Sequence, residues 1–507
     1  MEHHFNWRRA SLIAISWALA ILWLLPTFGH QFSPDSYGNF LIGRNLFHGL
    51  GFTSPSARDL FVPPVYPVVS RSFPPLYPVL VGAVDRLTGA GIASGVLLNL
   101  AILAGILYGL AAIFKRFEFA LGLAPFWVVS TVFLLNQPLT AEFAGARVLP
   151  LTLLLTLVVI LLSTERRMPY ALGVSIGLLM LSRFDVTVFA ILLPALIFTL
   201  RQRTFHETLK SYIAFFVIYS VWGIRSGLVF GSIFASDNSI SVTSLTPGMA
   251  QLNWYIEQPL RAWNAFHDWG VQRAGYFVEN VHVLVNGMLP VGGLLPLMGV
   301  AILPFSRGVA SDKARLYGAI TLLFIVANLA SVSLTSYHDT RYFSISAVLT
   351  VIALVQWAGD AFIGNRRTPV FGVREGRLID LLLIGVLSLC VALVLFFRAS
   401  YIQDKYEEGD NLKEIPKRFS SIIPKGSLIA TGVGYAESLS YYTDYKSVAT
   451  PNGPFFTPEF YDWQRHWSPD FAITPPTYMV TAEWSGAVRG SINGWNIIDL
   501  RSGKGKN

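Results

Sequence analysis

Charged side chains that stand singly at the ends of apolar runs, away from the basic clusters, are the places where this sequence could do chemistry. Asp35 follows Pro34 just beyond the first apolar run, and Arg341 opens a late one with His338 and Tyr342 beside it. A guanidinium so placed can hold a phosphate through two parallel hydrogen bonds; the ordinary alternative is an interfacial arginine that snorkels to lipid headgroups. Arg183 and Asp185 occupy a turn too short to be a solvated loop. They face the interior or an outer cavity, or they simply pair with each other. Arg225, near the end of its own run, poses the same choice, and Arg71 precedes a proline-rich re-entry at Pro74, Pro75 and Pro78. The structural alternative for Asp35 is an N-cap of an amphipathic helix over Ser36 to Leu50, ended by Gly49 and Gly51.

The elements that must position these groups follow from composition. Of 507 residues, 53% are hydrophobic, 14% aromatic and only 13% charged, and the mean hydropathy is +0.51. Soluble domains carry about a quarter charged residues, so this is a membrane protein. The net charge of +8 resides in short Lys and Arg clusters between apolar blocks, which argues for topology signals and against nucleic-acid binding. A single cysteine, Cys390, excludes an internal disulfide. Neither the histidine spacing nor any aspartate cluster forms a metal pattern, so no metal and no cofactor are expected.

Apolar runs near the length needed to cross about 30 Å of hydrocarbon occur at Ser11 to Phe28, Ile92 to Phe114, Phe119 to Leu135, Val148 to Ser163, Pro169 to Ser182, Val186 to Leu200, Ser211 to Phe230, Val281 to Pro304, Leu316 to Leu334, Tyr342 to Phe362 and Leu378 to Phe397. Leu76 to Val84 is too short to count and reads as re-entrant or interfacial. The first run follows Arg8 and Arg9 without a small-residue cleavage site after it, which is the pattern of a retained anchor. With the N-terminus inside, each alternate gap is basic: Lys115 and Arg116; Arg166 and Arg167; Arg201, Arg203 and Lys210; Arg307, Lys313 and Arg315; Arg366, Arg367, Arg374 and Arg377. The expectation is a polytopic α-helical membrane protein of about 11 to 13 transmembrane helices over residues 1–398. Its outer segments are 29–91 and 231–280, the latter rich in Trp254, Tyr255, Trp263, His267, Trp269 and Tyr276. Beyond residue 398 the composition turns polar and aromatic, and strand-like Leu428 to Thr431, helical Tyr435 to Tyr442 and strand-like Ser447 to Ala449 and Phe471 to Thr474 predict a small extracytoplasmic α/β domain over 399–507.

An ordered set of motifs runs through the chain. Asp35 is followed by Tyr37, then His48 to Phe52, then Pro74 to Pro78 with Tyr77, then Leu181 to Asp185, then His338 to Tyr342, and finally Ile423 to Gly426 and the pair Tyr441 and Tyr442. This set resembles the GT-C glycosyltransferases of the protein O-mannosyltransferase and aminoarabinose transferase type, over nearly the whole chain. The resemblance implies an inner-membrane enzyme, a hexosyl- or pentosyltransferase, that takes a sugar from a polyprenyl-phosphate-linked donor. It passes the sugar to a lipid, glycan or protein acceptor on the extracytoplasmic, periplasmic face. It further implies Asp35 as general base of an inverting displacement and Arg341 as ligand of the donor phosphate, with His338, Tyr342 and Arg71 near it. Tyr37, Tyr77, Glu142, Arg183 and Asp185 would support the site or receive the acceptor. Related enzymes often place an acid at the head of the span that begins here at Arg147 to Leu151, where this sequence has none; Glu142 lies slightly earlier. The competing class is a transporter or flippase, against which stand the absence of a visible inverted repeat and the gathering of candidate groups on one face.

Overall fold

The computed structural model describes residues 32–57, 68–70, 73–117, 139, 142–143, 145–200, 202–230, 233, 262–288, 294–305, 312–334, 340–363, 422–432, 436–443, 445–449, 468–474, 487–492 and 495–501. The expected spans Ser11 to Phe28, Phe119 to Leu135 and Leu378 to Phe397 lie outside the described residues, as do Arg71, His338 and the boundary at 398/399.

The first helix among the described residues, α1 (Pro34–Phe47), is started by a reciprocal cap. Ser33 Oγ accepts from Ser36 N at 3.3 Å, and Ser36 Oγ accepts from Ser33 N at 3.0 Å. Pro34 at the first position has no N–H to leave unsatisfied. Capping therefore falls to Ser33, and Asp35 lies inside the first turn, where a carboxylate suits the positive end of the helix. The expected interfacial helix is instead packed on both sides. Residues 36–43 are buried between α2 (Leu76–Thr88) and a helix of the C-terminal unit. Gly43 and Gly82 permit the first contact, since a Cβ on Gly43 would come within 2.8 Å of Gly82 N. α2 is longer than the Leu76 to Val84 segment expected, and ends at Gly89, whose φ of 65° suits a residue without Cβ.

The helices that follow are α3 (Ala93–Arg116), α4 (Leu149–Ser163), α5 (Pro169–Ser182), α6 (Thr187–Thr199), α7 (Phe205–Phe230), α8 (Ala262–Met288), α9 (Leu294–Ile302), α10 (Asp312–Leu334) and α11 (Ser344–Ile363). Among the described residues, three stretches are long and apolar enough to cross a membrane: Ala93–Phe114, Phe205–Phe230 and Asp312–Leu334. Leu149–Ser163, Pro169–Ser182, Phe184–Thr199 and Thr340–Ala353 are shorter apolar helices. α5 and α7 approach through small residues: Gly173 faces Ser211 O and Ala214, and Gly177 faces Ile218. The expected span Val281 to Pro304 falls on the end of α8, on α9 and the short turn after it, and on residues 289–293, which lie outside the described residues. The polar residues from Asn264 to Asn280 hide the start of α8 from hydropathy alone.

The C-terminal unit holds a six-stranded sheet in the order β2-β5-β4-β6-β8-β7. Its strands are β4 (Leu428–Thr431), β5 (Lys446–Ala449), β6 (Phe471–Thr474), β7 (Val488–Ile492) and β8 (Trp495–Asp499), with α12 (Ala436–Thr443) between β4 and β5. Strand β2 (Ser56–Ala57) comes from the first outer segment and pairs in parallel with Ser447 and Val448. A two-stranded ladder of β1 (Thr53–Ser54) and β3 (Val68–Val69) lies beside it in that segment. The sheet buries Ile429, Leu439, Phe471, Ile473, Trp495 and Ile497 as its own core. A much larger core joins the helices.

Candidate functional site

Asp35 and Arg341, 306 positions apart in sequence, form an ion pair with Arg341 Nη1 3.2 Å from Asp35 Oδ2. α1 presents the carboxylate from its first turn, and the single 3-10 turn Thr340–Phe343 ahead of α11 presents the guanidinium. Both side chains are about a third exposed, at 32% and 30%. The pair is therefore within reach of a ligand.

Behind Arg341 the charges are layered. Its guanidinium lies 5.3 Å from the centre of the Tyr342 ring, and that of Arg183 lies 5.0 Å from the same centre. Tyr342 thus carries two cations, an arrangement favoured by the negative faces of the ring. Arg183 is clamped by Asp185 through two bonds, Nε to Oδ1 at 2.8 Å and Nη2 to Oδ2 at 2.7 Å. Both residues are buried, in the break between α5 and α6 that a 3-10 turn over Phe184–Val186 fills. The two do pair with each other, as the plainer expectation had it, and they also abut Tyr342. The charges of Arg341, Arg183, Asp185 and Asp35 all bear on the Tyr342 hydroxyl.

Glu142 and Tyr77 belong to a knot beneath this array. Glu142 is buried and bonded to Arg147 at 2.7 Å. Asn99 Nδ2 donates to the carbonyls of Glu142, Phe143 and Arg147 at 3.2 to 3.3 Å, while Asn99 Oδ1 accepts from the Tyr77 hydroxyl at 3.0 Å. Ser36 Oγ donates to the Gly145 carbonyl, tying α1 to the same turn. Tyr77 and Glu142 thereby brace the turn beside Asp35, and the charge of Glu142 also acts on Arg183. Asn99 escaped the sequence search, although a lone amide inside an apolar run was the available signal.

Tyr37 meets the C-terminal unit. Its hydroxyl meets that of Tyr442 at 2.6 Å, and its ring packs on Tyr441 with centres 5.1 Å apart. Burial pushes the Tyr441 hydroxyl above the ordinary tyrosine range. Arg225 resolves as a brace: Nη2 donates to the carbonyls of Phe52 and Ser70 at 3.3 and 3.2 Å, and the guanidinium stacks 4.5 Å from the Trp222 ring. It fastens the ends of β1 and β3 to α7.

Fold and site together define a mostly helical protein, with helices able to span a membrane, that brings a carboxylate and two arginines together beside a small sheet. No family model matches the sequence, and no curated protein matches it. Among solved structures, the crystal structure of ArnT from Cupriavidus metallidurans bound to undecaprenyl phosphate superposes with a TM-score of 0.58 at 12% identity, over 98% of this chain and 98% of that one. ArnT from the same organism in the apo state gives 0.56 at 14% identity, over 96% and 97%. The chain therefore has the fold of ArnT, end to end.

Proposed function

We propose that this protein is a membrane glycosyltransferase that moves a hexosyl or pentosyl group from a polyprenyl-phosphate donor to a lipid, glycan or protein acceptor at the extracytoplasmic face of the inner membrane. The Asp35–Arg341 pair at 3.2 Å carries the proposal: it puts a base beside a phosphate ligand, as a displacement at a phosphate-bearing anomeric carbon requires. The ArnT fold supports the donor class, since one of the similar structures holds undecaprenyl phosphate.

In this mechanism the Asp35 carboxylate takes the proton of the acceptor hydroxyl as its oxygen attacks the anomeric carbon. The bond from that carbon to the phosphate oxygen breaks, its electron pair stays on the phosphate, and the carrier departs as a phosphate monoester. Arg341 receives that growing charge, and Arg183, clamped by Asp185 on the other side of the Tyr342 ring, holds that ring against it. A single displacement from the face opposite the phosphate inverts the anomeric centre. The scheme invokes no metal or cofactor: the Arg341 guanidinium is the group that meets the phosphate charge. Because Arg341 reaches Asp35, donor phosphate competes for the guanidinium and so frees the carboxylate to act as base. We place the N-terminus in the cytoplasm and residues 399–507 in the periplasm, on the basic inner loops.

The test is release of labelled sugar from a polyprenyl-phosphate donor by the full chain in liposomes. Asp35→Asn should lower turnover by about 10²- to 10⁴-fold, the usual worth of a general base, with donor binding retained. Undiminished turnover in that variant, or movement of intact donor across the bilayer without sugar release, would refute the transferase and favour the transporter class.

A further inference from the structure

At the end of the helices remote from Asp35, a cavity of about 470 Å³ is lined by Arg166, Phe198, Thr199, Gln202, Arg203, Thr204 and Glu207. Arg183 and Asp185 mark the other ends of α5 and α6, and Thr204 lies a whole helix away from the Arg225 brace. That helical stretch is roughly 30 Å at 1.5 Å per residue. The cavity is thus separate from the site described above.

Its chemistry is specific. Arg203 is only 5% exposed. Nη2 donates to the carbonyls of Leu162 and Glu165 at 2.9 and 2.6 Å, at the end of α4, but Nε and Nη1 find no hydrogen-bond partner among the described residues. Buried guanidinium donors left in this state are costly, and an anion removes that cost. Glu207 spends Oε2 on the cap of α7, accepting from Thr204 N at 2.8 Å and Thr204 Oγ at 3.0 Å. Arg166 is exposed at the rim. Two arginines against one engaged carboxylate leave the cavity net positive.

Apolar surface adjoins the cavity. Phe198 of its lining and Phe205 beside it, 42% and 63% exposed, stand with ring centres 6.4 Å apart. Exposed Leu209, Ile213 and Phe216 continue the strip along α7. A free phosphate would use only the arginines, whereas a phospholipid would use both features.

We infer that this cavity binds the headgroup of an anionic phospholipid, its phosphodiester on Arg203 and Arg166 and its acyl chains along the Phe205 to Phe216 strip. Basic pockets between spanning helices are the usual form of such sites. The inference stands independently of the transferase assignment.

The experiment uses the full chain in mixed micelles of phosphatidylglycerol and phosphatidylcholine at equal amounts, with retained lipids counted by native mass spectrometry after detergent stripping. The wild type should keep phosphatidylglycerol in preference to phosphatidylcholine. Arg166→Glu and Arg203→Gln should each lower that retention several-fold. Because Arg203 also caps α4 and its variant can lose the fold, Arg166→Glu decides the matter: the guanidinium it removes makes no hydrogen bond or ion pair among the described residues. Equal retention of the two lipids, or undiminished phosphatidylglycerol in Arg166→Glu, would overturn the proposal. A third arm adds inorganic phosphate in excess: failure to displace the lipid supports it, and full displacement assigns the cavity to a free anion instead.

Discussion

Arg341 has a duty that lysine cannot take over. Its planar fork can grip Asp35 or a phosphate while its face rests on Tyr342, and an ammonium offers neither the fork nor the flat stack. Arg341→Lys should therefore raise the donor KM about tenfold, the equivalent of about 1.4 kcal/mol, with a smaller effect on kcat; an unchanged KM in steady-state transfer assays would remove Arg341 from the donor site. Arg183 and Asp185 make a different prediction, because both are buried and bonded twice. Asp185→Ala strands a buried cation and should cost about 3–5 kcal/mol, seen as a lowered midpoint in thermal unfolding of the detergent-solubilised protein. These residue types were legible in sequence, since lone charges at the ends of apolar runs attract notice. Their mutual pairing was less so: nothing local links Asp35 to a residue in the last third of the chain, Tyr37 to Tyr442, or Tyr77 to Asn99.

Helices stand where apolar runs did, and the match is closest where breakers frame the run, as with Pro169 and Ser182 around α5. Where the run is polar the signal fades, which is why most of α8 was expected to be a loop. Strands β7 and β8 were not anticipated either, because Val488–Ile492 contains Arg489 and Gly490 and has no clear alternation. A contact legible only in three dimensions is that of Gly43 with Gly82. Gly43→Ala forces a methyl into the backbone of α2, and overpacking of this kind should cost about 1–3 kcal/mol. Since α1 bears Asp35, transfer activity should fall along with the unfolding temperature; an alanine variant of full stability and activity would mean that the two helices are not held at this distance. Acid should act on the last strand. Hydrogen bonds from Arg501 hold the Asp499 carboxyl below its usual range. That contribution is complete above the unfolded-state value of about 3.9 and is lost as pH falls through the lower folded-state one. Susceptibility of the C-terminal unit to pepsin should rise progressively as pH falls below the unfolded-state value, and Asp499→Asn should flatten the dependence.

At the scale of the whole molecule, the unit expected as a separate C-terminal domain is fastened to the helical part at two places. Ser56 and Ala57 supply the edge strand of its sheet, a signal that two small residues could not give in sequence. Tyr441 and Tyr442 pack on Tyr37 and Phe40 of α1, one turn from Asp35. The hydroxyl pair at 2.6 Å and the ring contacts join the sheet unit to the helix that carries Asp35. A double-mutant cycle of Tyr37→Phe and Tyr442→Phe measures that linkage. If the two units act as one body, the cycle should return a coupling of about 0.5–1.5 kcal/mol, the net worth of a hydrogen bond between neutral groups, in thermal unfolding of the full chain. Each single variant should also lower sugar-transfer kcat with little change in donor KM, since it disturbs the placing of Asp35 more than the grip of Arg341. Additive unfolding effects with unaltered kcat would show that the sheet rides on the membrane part without guiding its chemistry.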